Sequence, residues 1–150
     1  MEIRTAIYKY CNYQERCHQD VRTKLFELGA DREYGDELIA ELIESNLLNE
    51  ERFAQSYCRG KFSLKKWGRS KIRMHLKQKK VSDYCIRKGL AEINTEDYEK
   101  TLRSLCEKGL EKYSKEPQAW MRNAKITQYL MSRGYETDLI KETLLTLEPS

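Results

Sequence analysis

The sequence predicts an all-α protein built as three tandem three-helix repeats in an elongated, curved array. Three observations lead there. One aliphatic skeleton with four-residue spacing occurs three times: Val21, Leu25, Gly29; Ile72, Leu76, Lys80; and Ile126, Leu130, Gly134. That spacing lays an apolar stripe along one side of a helix. No stretch shows apolar–polar alternation over a useful length. Two prolines, seven glycines and 35% charged residues leave long stretches free of helix breakers. Each repeat carries only a thin apolar stripe, so neighbours are expected to share burial.

The first repeat is read as 1–48. Its first helix is "TAIYKYC", its second carries Val21 and Leu25 and stops at Gly29, and its third is "DELIAELIESNLL" starting at Asp36, with "DREYG" as a longer turn. The second repeat, 49–94, opens at Asn49 with a capping side chain, two acids that suit the positive end of the helix dipole, and then Phe53 and Tyr57. This helix is expected to reach about Lys61, ending near Gly60, with "FSLKKWG" as a connector to Gly68 and a second helix over 69–80. Lys80 stands where the other copies have a terminating glycine, which leaves open whether the helix ends differently or runs on. Ser82 caps a third helix through Ile86, Leu90 and Ile93. The third repeat, 95–150, begins at Thr95 with Tyr98 and Leu102. Pro117 interrupts it, and its last helix, capped by Thr137 or Asp138, carries Ile140, Leu144 and Leu147.

Charge is distributed unevenly along this scaffold. Eight acids lie between Asp31 and Glu51 against Arg32 alone, whereas residues 53–82 contain no acid. Between Tyr57 and Lys80 stand ten cations: Arg59, Lys61, Lys65, Lys66, Arg69, Lys71, Arg73, Lys77, Lys79 and Lys80. Arg69, Arg73, Lys77 and Lys80 recur at helical spacing and are expected to form one outward stripe. Like charges at i, i+4 oppose a helix by about 0.2–0.5 kcal/mol per pair, and a solvated face ordinarily mixes signs. A docking surface for a polyanion or an acidic protein face follows, with the ten cations as its candidates. Trp67 and Phe62 interleave them, and Trp120 holds a comparable place in the third repeat, so both indoles are assigned to the core.

Other chemistries lack support. The five cysteines are odd in number and form no C-x-x-C, which fits reduced thiols rather than a disulfide framework. The spacing of Cys11, Cys17 and His18 is wrong for a zinc knuckle. There is no Gly-rich phosphate loop, H-E-x-x-H or G-x-S-x-G, so no catalytic site and no cofactor are expected. No run is apolar enough for a membrane span, and "MEIRTAIYKYC" lacks the core of a secretory signal.

The segments "YCNYQERCHQDVRTKLFELG", "LLNEERFAQSYCRGKF", "WGRSKIRMHLKQKKVS" and "KITQYLMSRGYETDLIKETL", in that order, resemble the RecX family of bacterial regulators from about Tyr10 to Leu147. The resemblance implies a cytoplasmic, cofactor-free, non-enzymatic protein of tandem three-helix repeats; nothing in the sequence demands a dimer, and a monomer is expected. Its implied partner is the filament of the recombinase RecA on single-stranded DNA, whose strand exchange, ATP hydrolysis and co-protease activity it would suppress. The basic residues of 49–94, the main contact unit, would then touch acidic RecA surface, DNA phosphate, or both. A stand-alone nucleic-acid-binding module using helix 69–80 is the alternative reading.

Overall fold

A computed structural model describes residues 2–148. Among these residues there are nine helices and no strand: α1 (Ile3–Tyr13), α2 (His18–Glu27), α3 (Arg32–Glu44), α4 (Glu50–Lys65), α5 (Arg69–Gln78), α6 (Asp83–Leu90), α7 (Thr95–Lys112), α8 (Ala119–Ser132) and α9 (Thr137–Leu147). The all-helical expectation holds. The chain divides into two compact units, one of Met1–Arg59 with His75–Glu92, the other of Gly60–Met74 with Ile93–Ser150.

In the first unit α1, α2 and α3 pack through Ile7, Cys11, Val21, Leu25, Leu38, Ile39, Leu42 and Leu48, all buried. The opening of α2 was not legible as such in the sequence. Cys17 is its N-cap: the sulfur accepts from the Asp20 amide at 3.4 Å while the Asp20 carboxylate accepts from the Cys17 amide at 3.3 Å. The expected long turn at "DREYG" does not exist. The Asp31 carboxylate accepts from the Tyr34 amide at 2.8 Å and starts α3 four residues early, so these residues form its first turn. Later in this unit Gly89 of α6 lies against α4; a Cβ there would meet the Ala54 carbonyl oxygen at 2.7 Å and the Cys58 sulfur at 2.9 Å.

In the second unit α7, α8 and α9 pack on one another around Tyr98, Leu102, Cys106, Ile126, Leu130, Tyr135, Ile140 and Leu144, all buried. Pro117 falls in the α7–α8 connector, as its missing amide requires. Asn94, not Thr95, caps α7, its side chain accepting from the Asp97 amide at 3.0 Å. Glu136, not Thr137 or Asp138, occupies the cap position of α9, and its carboxylate is engaged elsewhere.

The second helix of each repeat ends in the same hydrogen-bond pattern. The amides of Gly29, Lys80 and Gly134 reach back three residues to Phe26, Lys77 and Met131, and those of Ala30, Val81 and Tyr135 reach back five. All three turn residues have positive φ: 88°, 61° and 99°. Lys80 therefore ends its helix as the glycines do, and α5 neither runs on nor ends differently.

Candidate partner-binding surface

The second unit holds the part of the basic segment from Lys61 to Arg73. Here α4 runs to Lys65, past Gly60, because glycine is tolerated inside a helix where nothing requires positive φ. The Phe62 ring packs on Tyr98 with centroids 5.7 Å apart. The helix stops at Lys66, whose φ is 56°. Residues 65–70 are then held by the α8–α9 turn. The Lys65 carbonyl accepts from the Arg133 guanidinium at 2.8 Å, and the Lys66 carbonyl accepts from the Tyr135 hydroxyl at 2.7 Å. In return the Gly68 amide donates to the Arg133 carbonyl at 2.8 Å and the Ser70 amide to the Gly134 carbonyl at 2.9 Å. These donors belong to the first turn of α5, which would otherwise lack partners. The two backbones approach so closely that a Cβ on Gly68 would sit 2.3 Å from Gly134 carbonyl atoms.

Arg69 is drawn into this junction. Its amide donates to the Tyr98 hydroxyl at 3.0 Å, that hydroxyl donates to Glu136, and the Arg69 guanidinium donates to the same carboxylate at 2.9 Å while lying 3.8 Å from the Tyr98 ring centroid. Burial, then the hydrogen bond to Glu136, drives the Tyr98 phenol far above its ordinary range; burial pushes Tyr135 up to about 12. The expected outward stripe on α5 is thereby shortened at its start, since Arg69 is half-buried and neutralised.

Trp67 is half-buried rather than a core plug, with the ammonium groups of Lys61 and Lys71 at 4.9 and 4.5 Å from its ring centroid. Trp120 departs further from the expected core role and is 70% exposed on α8. Lys65, Lys66 and Arg73 are exposed, and none has an acid within ion-pair distance among the described residues.

In the first unit three of the four remaining cations meet acids outside their own helix. Arg59 pairs with Glu92 at 2.6 Å, Lys79 with Asp20 at 3.4 Å, and Lys77 with Asp83 at 4.0 Å. Lys80 is exposed beyond the end of α5. The acidic run is also engaged within this unit: Asp36 pairs with Arg22 at 2.9 Å, Glu41 with Arg4, and Glu50 accepts from the His18 amide at 2.9 Å. Sequence reasoning missed Tyr98, Glu136 and Asp20 as partners of the basic segment. Charge complementarity between Arg69 and Glu136 was present, but a separation of 67 positions hides it from any local pattern.

Comparison with known proteins follows the same lines. Residues 49–90 fit the family described as RecX, second three-helix domain, and residues 96–144 fit RecX, third three-helix domain. A regulatory protein RecX from Chlorobaculum tepidum is 33% identical over 125 residues, covering 83% of this chain and 75% of the relative. One from Limosilactobacillus reuteri is 27% identical over 139 residues, covering 91% of this chain and 52% of the relative. The chain spans about half the length of the first curated relatives it resembles. The crystal structure of RecX from Lactobacillus salivarius superposes with a TM-score of 0.88 at 27% identity, covering 97% of this chain and 94% of that one.

Proposed function

Because the chain belongs to the RecX family of regulatory proteins, we propose that it binds the RecA filament on single-stranded DNA and suppresses its strand exchange, ATP hydrolysis and co-protease activity. The observation that carries this reading is the exposed, acid-free group of Lys65, Lys66 and Arg73 in the second unit. Such cations, held on a backbone fixed by the α8–α9 turn, suit acidic protein surface or phosphate. Arg69 contributes by fixing that backbone, and Arg59 and Lys79 are engaged with Glu92 and Asp20. Repeats at 1–48, 49–94 and 95–150, with 49–94 as the main source of contacts, complete the reading. The protein acts in the cytoplasm as a monomeric regulator, without a cofactor or a reaction of its own.

The test is RecA's single-strand-dependent ATP hydrolysis with this protein added far below RecA stoichiometry. Hydrolysis is expected to fall, and to recover with the triple variant Lys65→Gln, Lys66→Gln, Arg73→Gln. Unchanged hydrolysis at stoichiometric amounts overturns the reading in favour of a helical module that binds DNA on its own account.

A further inference from the structure

A basic cavity lies in the second unit between the end of α4 and α7. It has a volume of about 220 Å³ and is lined by Lys66, Lys100, Thr101, Ser104, Leu105 and Lys108. Lys66 comes from the residue that ends α4; the other five come from one side of α7, where Lys100, Ser104 and Lys108 recur at four-residue spacing. No acid lines the cavity. Lys66 and Lys108 have no ion pair among the described residues, and Lys100 has only an exposed i, i+4 contact with Glu96 at 3.5 Å. Exposed pairs of that kind are worth little and are readily exchanged.

We infer that this cavity is a binding site for a backbone phosphate of nucleic acid. Its ionic groups are all lysines. An ammonium is a compact charge with three rotatable donors that can approach a tetrahedral oxyanion from several sides, whereas the guanidinium fork that fits a planar carboxylate is missing from the lining. Thr101 and Ser104 add two hydroxyl donors between the lysines. At roughly 30 Å³ per water, the volume equals about seven waters, enough for a phosphate and part of the adjoining sugar. Both walls are held in place. The α7 residues sit on a helix of 18 residues, and the Lys66 backbone is fixed by the Tyr135 hydroxyl. A site held this way loses less freedom on binding than lysines on a mobile loop. The inference goes beyond the filament reading and stands without it, because no RecA takes part.

The test uses the full chain alone and a fluorescein-labelled oligothymidylate, with anisotropy titrations across a salt series. A duplex of the same length and a labelled oligoglutamate serve as parallel probes. The double variant Lys100→Gln, Lys108→Gln is expected to bind the single strand severalfold more weakly and to flatten the slope of log affinity against log salt by about 0.7 for the lost phosphate. Lys66→Gln, on the opposite wall, is expected to act in the same direction. Thr101→Val with Ser104→Ala is expected to weaken binding with the slope unchanged. Lys112→Gln, on the same helix outside the cavity, is the control and is expected to change little. Flattening with the duplex alone assigns the phosphate to double-stranded nucleic acid, and with the oligothymidylate to single strands; both support the site. The inference is overturned by unchanged nucleic-acid binding in the double variant, by an equal loss in the Lys112 control, or by a loss confined to oligoglutamate. Melting curves of each variant verify the fold. Because RecA is absent, failure here leaves the ATP hydrolysis result standing, and failure there leaves this result standing.

Discussion

The two units treat one acid-free stretch of sequence in different ways. In the first unit Arg59, Lys77 and Lys79 face Glu92, Asp83 and Asp20, none on the helix of its partner, while Lys80 stays exposed. In the second unit Arg69 faces Glu136, while Lys65, Lys66 and Arg73 stay exposed without an acid among the described residues. A run without acids is therefore not a surface without acids. Among the ten candidate cations, Arg69 and Lys79 are half-buried in their pairs, whereas Arg59 and Lys77 pair at exposed positions.

The largest effects belong to the apolar scaffold beneath these charges. Leu76 in the first unit and Ile126 in the second are both buried. Replacing either with Ala is expected to cost about 2–5 kcal/mol, because the lost transfer energy is joined by the cavity left behind. Chemical denaturation measures this, and an unchanged midpoint would place the side chain outside the core. The triple Lys65, Lys66, Arg73 to Gln variant should leave the same midpoint in place, since none of these side chains is buried.

The next effect separates the two kinds of ion pair. Tyr98→Phe keeps the ring but removes the hydroxyl between the Arg69 amide and Glu136. The loss is expected to be about 1–3 kcal/mol, as a half-buried amide and a half-buried carboxylate each lose a partner. Lys77→Gln, which breaks a 4.0 Å pair between exposed side chains, should change stability by less than about 0.5 kcal/mol. Equal effects from the two variants would erase the contrast between an internal clamp and a surface contact.

Alkaline pH probes the same contrast through burial. In the first unit, burial pushes the thiols of Cys11 and Cys17 up to about 11 and that of Cys58 up to about 12. In the second unit it pushes Cys106 up to about 11 and Tyr135 up to about 12, and it raises Tyr98 well beyond. A raised folded value means the folded chain keeps a proton that the unfolded chain releases. Stability from these groups is thus complete below the unfolded values, near 8.5 for thiols and 10 for phenols, and falls as pH rises through the window above them. Each group contributes up to about 1.4 kcal/mol per pH unit inside its window. Cys58→Ala should flatten the loss from about pH 9 and Tyr135→Phe from about pH 10, read from urea midpoints at successive pH values. A midpoint that rises with pH across this range would contradict the assigned burial.

Much of the fold was legible because it rests on local periodicity. The repeated Val21, Ile72 and Ile126 positions gave the second helices, and Ser82 and Pro117 marked real boundaries. What was not legible depends on atoms far apart in sequence or on an unusual use of a residue. Gly60 was read as a terminator, but its helix continues because Phe62 has Tyr98 to pack on. Cys17, read only as a reduced thiol, is also an N-cap through its sulfur. In the candidate surface, composition located the cations but could not show which had distant acids. The lysines of α7 escaped notice because Glu96, Glu99 and Glu107 alternate with them in sequence while the cavity wall carries none.

A gain in stability, rather than a loss, is expected from turns that look alike and tolerate different residues for different reasons. Gly29, Lys80 and Gly134 share positive φ and the same hydrogen bonds. A Cβ on Gly29 would have nothing within 4 Å, so an L residue there is opposed only by the left-handed backbone, at about 1–2 kcal/mol. A Cβ on Gly134 would lie 2.4 Å from the Lys71 Cβ and 2.6 Å from its amide nitrogen, so glycine is required there by space as well as by φ. Lys80 already bears the backbone strain at φ 61°. Lys80→Gly should relieve it, offset by the greater freedom of glycine in the unfolded chain, leaving a net gain of about 0.5–1 kcal/mol. A melting temperature that rises by a few degrees would show that the lysine is carried against the preference of the turn, and so for its charge. One that falls would show that the side chain stabilises the first unit, making Lys80 a structural cation like Lys79 rather than one available to a partner.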